Sequence, residues 1–508
     1  MNTKALRQKV LDLAIHGKLV PQNPNDESAT VLLEKIRAEK AEKIKKGELK
    51  ADKKDSFIFT KECEFDEDKL GKCSSGTRHK RHYEQFADGT VKDIEDEIPF
   101  DVPDGWAWCR LTNVAITELG KTLDAKKNKG ESYDYLCALN VKWYTFDFTT
   151  LKQIRLEEKE KERYLVRKGD LLICEGGDVG RSAIWESDNP IYYQNALHRV
   201  RFYQNINQYF FLHVLNYYKN IGLIDDVSGG VTIKHFTQNS MQKLLFPLPP
   251  LAEQERIVSV IKNIFSQIDT LDQNKSDLQT AIKQTKSKIL DLAIHGKLVP
   301  QNPNDEPAEE LLKRIATSDN RPYQKVDEEP FEIPDSWKWV KLVDIGQTNI
   351  GLTYHPNDIS NTGIIVLRSN NIQNDKLCFD DIVKVNSNTK ILNNQYINNG
   401  DILICARNGS QSLVGKCVLL NNLKEKTSFG AFMAVFRSNY NRYILKYLQS
   451  KYFKDYMFES NSTQIHQLTQ SMLKDALIPF PPEKEQVRIV AKIDELYSRL
   501  DQIQNNLV

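Results

Sequence analysis

The chain has 508 residues with 70 Lys and Arg against 69 Asp and Glu, so its net charge of +1 creates no large single-sign field, and any surface for a polyanion must be local. It is long enough for two core-bearing domains and lacks the run of about 18 apolar residues that a membrane span needs, and its opening MNTKALRQKV lacks the apolar stretch of a leader, so a cytoplasmic location is expected. The 8 cysteines form no CxxC pair and read as reduced, mostly buried thiols.

The first predicted element is a helix carrying Val10, Leu13 and Ala14 and stopped at Gly17. Residues 11–27, LDLAIHGKLVPQNPNDE, recur letter for letter at 290–306, a displacement of 279 positions that marks an internal duplication. Residues 37–97 follow, with about 48 residues that the second copy lacks. Their Lys- and Glu-rich start, EKAEKIKKGELKADKKD, and the later CSSGTRHKRH predict a solvated helix running into a mobile charged linker. Cys63, Cys73, His79 and His82 in this stretch match no zinc-ligand spacing.

Residues 98–250 are expected to form the first domain, opened by FDVPDGWAW from Phe100 to Trp108. The box returns as FEIPDSWKW from Phe331 to Trp339, an offset of 231, and opens a second domain over 330–482. The same offset maps Leu136, Asn140 and Val141 onto Leu367, Asn371 and Ile372, and GDLLIC (169–174) onto GDILIC (400–405). Trp106, Trp108, Trp337 and Trp339 recur at identical places, so they are expected to pack each domain onto its helix.

After Pro249-Pro250 the apolar period changes. Ile257, Ile261, Ile264, Ile268, Leu271, Leu278, Ile282, Ile289 and Leu292 step by four and three, broken at Lys275 and Thr285, which is the seam of a long helix packed on a partner helix. Glu253 sits in its first turn, where the helix dipole favours a carboxylate. At 1.5 Å per residue such a rod is roughly 65 Å long. The partner is expected to be split between the chain ends: Ile489, Ile493, Leu496, Leu500, Ile503 and Leu507 copy the first half of the seam, and Val10, Leu13 and Ala14 copy the last. The expected fold is α/β, with two pseudo-symmetric mixed domains separated by two long antiparallel helices, one continuous and one assembled from the N- and C-terminal segments. Its expected divisions are 1–36, 37–97, 98–250, 251–329, 330–482 and 483–508.

Catalytic signals are absent. Gly409–Cys417 resembles a phosphate loop but places five residues between its glycines and Cys where Ser or Thr is needed. PLPPLAE and PFPPEKE lack the preceding Asp or Asn and the following aromatic of an amino-methyltransferase site. Two related, divergent domains held apart by rods suit a duplex read at two half-sites, as in dimeric DNA readers.

The FDVPDGWAW and FEIPDSWKW boxes, the GDLLIC and GDILIC strands, the PLPPLAEQERIV and PFPPEKEQVRIV helix starts and the twice-written LDLAIHGKLVPQNP together resemble the specificity subunits of Type I restriction-modification enzymes, over nearly the whole chain. The resemblance implies a noncatalytic subunit that recognises a bipartite, asymmetric DNA sequence and recruits two methyltransferase and two translocase-nuclease subunits. S-adenosylmethionine, ATP and magnesium would belong to those partners, with no cofactor or metal on this chain. An autonomous DNA modification enzyme and a coiled-coil spacer that binds no nucleic acid are the alternatives.

Candidate DNA contacts lie where the copies differ, because two different half-sites need different Arg, Lys, Asn, Gln, Ser or Thr donors on a common scaffold. In the first domain these are Lys121, Lys126, Lys127 and Lys129 for phosphates, and Lys142, Trp143, Tyr144, Arg181, Gln194, Asn195, His198 and Arg199 near bases. In the second they are Thr353, Tyr354, His355, Arg368, Ser369, Asn370, Arg407, Asn408, Ser410 and Gln411. His16, Lys18 and Gln22, repeated as His295, Lys297 and Gln301, are candidates for docking two identical partner subunits, or else for capping the rod on the opposite domain.

Overall fold

The structure, a computed structural model, describes residues 2–51, 55–63, 79–124, 128–203, 206–230, 234–318, 326, 328–459 and 467–507. The chain divides into two compact units, Met1–Gln273 and Asn274–Val508. A single helix, Leu251–Ile294, contributes its first half to one unit and its second half to the other.

In the first unit the N-terminal helix Thr3–Ile15 lies antiparallel to the start of the long helix. Arg7 reaches Asp269 at 2.5 Å and Asp26 reaches Arg256 at 2.6 Å, and Val10, Leu11, Ala14 and Ile15 share a core with Ile257 and Ile261. In the second unit the C-terminal helix Glu483–Asn505 runs antiparallel to the other half: Tyr497 donates to the Lys286 carbonyl at 2.9 Å, and Ile489, Val490 and Ile493 join Ile289, Leu290, Ala293 and Ile294. The expected seam is realised at the outer ends and fades toward its centre. Leu271, Leu278 and Ile503 are exposed, because the N-terminal helix offers no buried apolar residue before Val10 and the C-terminal helix none after Ile493.

Each unit carries a mixed α/β domain. In the first, Ser182–Ile184, Leu171–Cys174, Leu197–Phe202 and Ala115–Leu119 form one sheet, and Leu165–Val166, Ile191–Tyr193, Glu131–Leu136 and Lys152–Leu156 a second. The second unit repeats this with Gln347–Ile350, Met433–Arg437, Ile402–Cys405 and Cys417–Leu419, beside a five-stranded sheet centred on Ile364–Leu367. The only parallel strand pairs among the described residues are Ile191–Tyr193 with Glu131–Leu136 and Thr427–Phe429 with Ile364–Leu367. GDLLIC and GDILIC are central strands with every residue from Leu171 to Cys174 and from Ile402 to Cys405 buried, which is why they read as unbroken apolar runs.

The stretch 37–97 differs from the expected linker. The helix Ala29–Lys45 ends in it, and Ser56–Cys63, His79–Phe86 and Val91–Asp93 form a three-stranded antiparallel sheet. Charge hid this sheet: strand His79–Phe86 reads HKRHYEQF, yet its Glu84 is buried and paired with buried Arg110 at 2.7 Å, tying the insertion to the first domain. Cys73 lies outside the described residues, as do the side chains of Cys63 and His79.

Candidate nucleic-acid interface

The duplicated letters build the same latch in each unit. Gly17 and Gly296 end their helices at φ +66° and +67°, left-handed values that favour glycine, and a Cβ there would come within 2.3 Å of Pro103 or 2.4 Å of Pro334. The adjacent His16 and His295 rings lie 4.2 Å from Phe100 and 3.9 Å from Phe331. Trp106 Nε1 donates to Glu253 Oε2 at 3.0 Å while Gln22 donates to Oε1 at 2.7 Å; Trp337 and Gln301 treat Glu485 alike, at 3.0 and 2.6 Å. Both carboxylates are buried, and burial raises their pKa above the ordinary value against the pull of these donors.

Trp106 and Trp337 therefore do pack domain onto helix, whereas Trp108 clusters with Ile94 and Leu245, and Trp339 packs against Phe331 and Tyr452. Of the repeated docking candidates, His16 and His295 meet the Asp12 and Asp291 carbonyls at the ends of their own helices, and Gln22 and Gln301 cap the start of the helix beside their own domain rather than the opposite one. Lys18 and Lys297 are left on the surface. The helix dipole alone does not explain Glu253 and Glu485, which are the buried centre of each latch. Their recurrence three residues after the proline pair, in PLPPLAE and PFPPEKE alike, is the sequence signal of that shared role.

Divergent loops gather at one set of strand ends in each domain. In the first, the Lys121 amide donates to the Tyr193 carbonyl at 3.2 Å, the Lys121 carbonyl accepts from the Asn195 amide at 2.8 Å, the Gln194 amide donates to Leu136 at 3.1 Å, and Arg181 Nη2 donates to the Ala138 carbonyl at 2.7 Å. In the second, the Leu352 amide donates to Phe429 at 2.6 Å, the Gly430 amide to Leu367 at 2.9 Å, and the Arg407 amide to Phe432 at 3.0 Å. Asn408 Nδ2 donates to Ser369 Oγ at 3.2 Å, while Arg368 and Asn370 both reach Asp381. Thr353, His355, Asn370, Arg407, Ser410 and Gln411 are exposed there, with Tyr354, Arg368, Ser369 and Asn408 half-buried.

Asn140 and Asn371, buried in the two copies, hold these loops. Asn140 Oδ1 accepts from the Cys137 amide at 2.9 Å and Nδ2 donates to the Asp147 carbonyl at 2.9 Å; Asn371 accepts from the Arg368 amide at 2.8 Å and donates to Cys378 at 3.0 Å. The loops that follow the central strands differ in length. Glu175–Val179 spans five residues before Gly180, whereas Ala406–Val414 spans nine before Gly415.

Several first-domain candidates are corrected. His198 is buried, its Nε2 against the Phe236 carbonyl at 3.1 Å, and burial lowers its pKa despite Glu175 nearby, so the ring belongs to the core. Arg199 is buried and paired with Glu118. The hydroxyl of Tyr144 meets His213 Nδ1 at 3.1 Å and its ring lies edge-on to Phe265 of the long helix, while Trp143 packs on the main core. Tyr144 holds φ +68°, a strained value for a tyrosine that these contacts sustain. Lys121 is half-buried and committed to Glu160. Lys129 and Lys142 are exposed, Gln194, Asn195 and Arg181 half-buried, and Lys126 and Lys127 lie outside the described residues.

Two copies of one mixed α/β domain, each latched onto a helix, make the chain a duplicated module. The family model for the Type I restriction modification DNA specificity domain matches residues 103–280 and again 334–508, more than half of the chain, and the chain belongs to that family. Two Escherichia coli proteins are similar over nearly the whole length: the Type I restriction enzyme EcoAI specificity subunit, 27% identical over 97% of this chain and 88% of its own, and the EcoEI specificity subunit, 25% identical over 99% and 90%. A solved chain from work on complex assembly and conformational transition of the type I R-M system shares the fold, with TM-score 0.59 at 18% identity over 80% of this chain and 94% of that one. Among the described residues no helix is long and apolar enough to cross a membrane.

Proposed function

We propose that this chain is the noncatalytic, sequence-reading subunit of a Type I restriction-modification complex, each strand-end face reading one block of a bipartite, asymmetric DNA target. The observation that carries this reading is the sorting of residues: the repeated Gln22, Trp106 and Glu253, and Gln301, Trp337 and Glu485, are spent on the internal latch, whereas side chains that differ between copies sit together on loops at one set of strand ends. In the first face Lys129 serves phosphates and Lys142, Arg181, Gln194 and Asn195 lie nearest the bases. In the second, Arg368, Arg407, Asn408 and Gln411 carry the readout. Two methyltransferase and two translocase-nuclease subunits assemble on the chain, Lys18 and Lys297 offering the same exposed cation beside each latch, and S-adenosylmethionine, ATP and magnesium act in those partners.

Footprinting and methylation mapping with the partners present test this reading. The expected result is two protected patches separated by unprotected pairs, a methylation motif of two short blocks with a fixed gap, and affinity that falls steeply with salt as counterions are released. Methyl transfer by the isolated chain, or no footprint in the presence of the partners, overturns it.

A further inference from the structure

An exposed apolar side chain stands on each strand-end face, at positions that do not correspond between the copies. Leu139 is 63% exposed in the first domain and Phe432 63% exposed in the second. Backbone bonds fix the alignment. The Asn140 amide donates to the Cys137 carbonyl at 2.9 Å as the Asn371 amide does to Arg368 at 3.0 Å, which places Asn370 opposite Leu139. The Glu175 amide donates to Ala196 at 3.0 Å as the Ala406 amide does to Phe432 at 2.9 Å, which places Ala196 opposite Phe432.

A lone exposed leucine or phenylalanine is ordinary on a protein surface. These two differ in their mounting. The Phe432 carbonyl is held by two amides, those of Ala406 and Arg407, and the Arg407 guanidinium lies 5.7 Å from the ring centroid. Leu139 follows Ala138, whose carbonyl takes the Arg181 guanidinium at 2.7 Å, and precedes the buried Asn140 that pins the turn. Each apolar tip is thus rigidly carried beside an arginine that is itself a candidate base reader.

Resting on the DNA-reading function proposed above, we infer that Leu139 and Phe432 are specificity-determining residues that contact thymine C5-methyl groups in the major groove, one in each block of the target. The methyl is the single apolar feature on base edges in that groove, and a rigid apolar side chain beside hydrogen-bond donors is its complement. Because Leu139 faces the slot of an asparagine and Phe432 that of an alanine, the two heads place their apolar probe on different loops, as readers of unlike blocks require.

The test uses the full chain with its methyltransferase partners and duplexes carrying the mapped target, in which each thymine is replaced singly by uracil. Uracil retains every hydrogen-bonding group and loses only the methyl. One position in each block is expected to weaken binding about four-fold, the loss for one buried methyl group. Phe432→Ala abolishes the sensitivity in one block and leaves the other intact, and Leu139→Ala does the reverse; both positions are exposed, so the variants fold. A block with no uracil-sensitive thymine, or a variant that keeps the wild-type uracil pattern, overturns the assignment of that residue. Failure of the underlying reading looks different: the wild-type complex then shows no preference for the mapped target over scrambled duplex.

Discussion

Replacing Trp106 with Phe isolates the latch of the first unit. Phe keeps most of the apolar bulk but removes the Nε1 donor that sits 3.0 Å from Glu253 Oε2, leaving a buried carboxylate with Gln22 as its remaining hydrogen-bond donor. A lost hydrogen bond to a buried charged group costs about 1.5–3 kcal/mol, and the partly vacated indole volume adds about 1 kcal/mol. At a urea dependence of about 3 kcal/mol/M for a unit of this size, the first unit's unfolding midpoint should fall by about 1 M, with the second unit's transition unmoved. Trp337→Phe should do the converse. The effect also has a pH signature. Burial raises the Glu253 pKa, so its contribution to stability is complete below the ordinary carboxylate range and is lost as pH rises through the folded value. At neutral pH the buried anion is a liability restrained by its donors. The Trp106→Phe penalty should therefore be largest near pH 7 and shrink near pH 4, where the carboxyl carries its own proton. Urea titrations followed by circular dichroism at both pH values measure this, and equal penalties at the two, or a shift below about 0.2 M, would refute the reasoning.

Three further expectations follow from the same geometry. Arg110→Ala strands buried Glu84 without its ion-pair partner and should destabilise the first unit by about 3–5 kcal/mol, exposing the strand His79–Phe86 to limited proteolysis, with partial recovery in the Arg110→Ala/Glu84→Ala pair. His213 is held neutral by burial, its pKa lowered from 6.5 to about 3, so the stability it contributes is intact above 6.5 and lost as pH falls, by about 1.4 kcal/mol per pH unit. His213→Phe should flatten the first unit's stability slope between about pH 6.5 and 4, and an unchanged slope contradicts the placement. Gly17→Ala combines a left-handed backbone with a Cβ 2.3 Å from Pro103, whereas Gly47→Ala has φ +73° and open space; calorimetry should show Gly17→Ala lowering the melting temperature by several degrees more.

The duplication was legible because identity over residues 11–27 and 290–306 admits no other explanation, and the long helix because its apolar steps persist across several turns. Its faded centre was not legible: Leu271 and Leu278 fit the period, but burial requires a packed apolar partner, and Leu6 and Ile503 on the facing helices are themselves exposed. Periodicity reports what a helix offers to a neighbour. It does not report what the neighbour offers back. The sheet in the insertion escaped for a related reason, since HKRHYEQF is polar at nearly every position and its stability draws on the Glu84–Arg110 pair, which lies outside the strand's own pattern. Among the site residues, loop membership could be read from divergence between copies, but depth could not. His198 and Arg199 sit on a central strand whose flanks cover both faces, while Arg407 and Gln411 lie on a loop lengthened by insertion and stay in solvent.

Each latch joins segments made at widely separated times. Gln22 meets Glu253 across 231 positions, so at about 5–20 residues per second a growing nascent chain holds its first helix unpaired for roughly 10–50 s before the ribosome delivers the mate. The second latch closes only when Glu485 emerges, 184 positions after Gln301. Release of the chain between Gln301 and Glu485 should therefore leave the first domain folded and the second latch open, a failure that biosynthetic pulse-labelling with protease would reveal as a resistant N-terminal fragment.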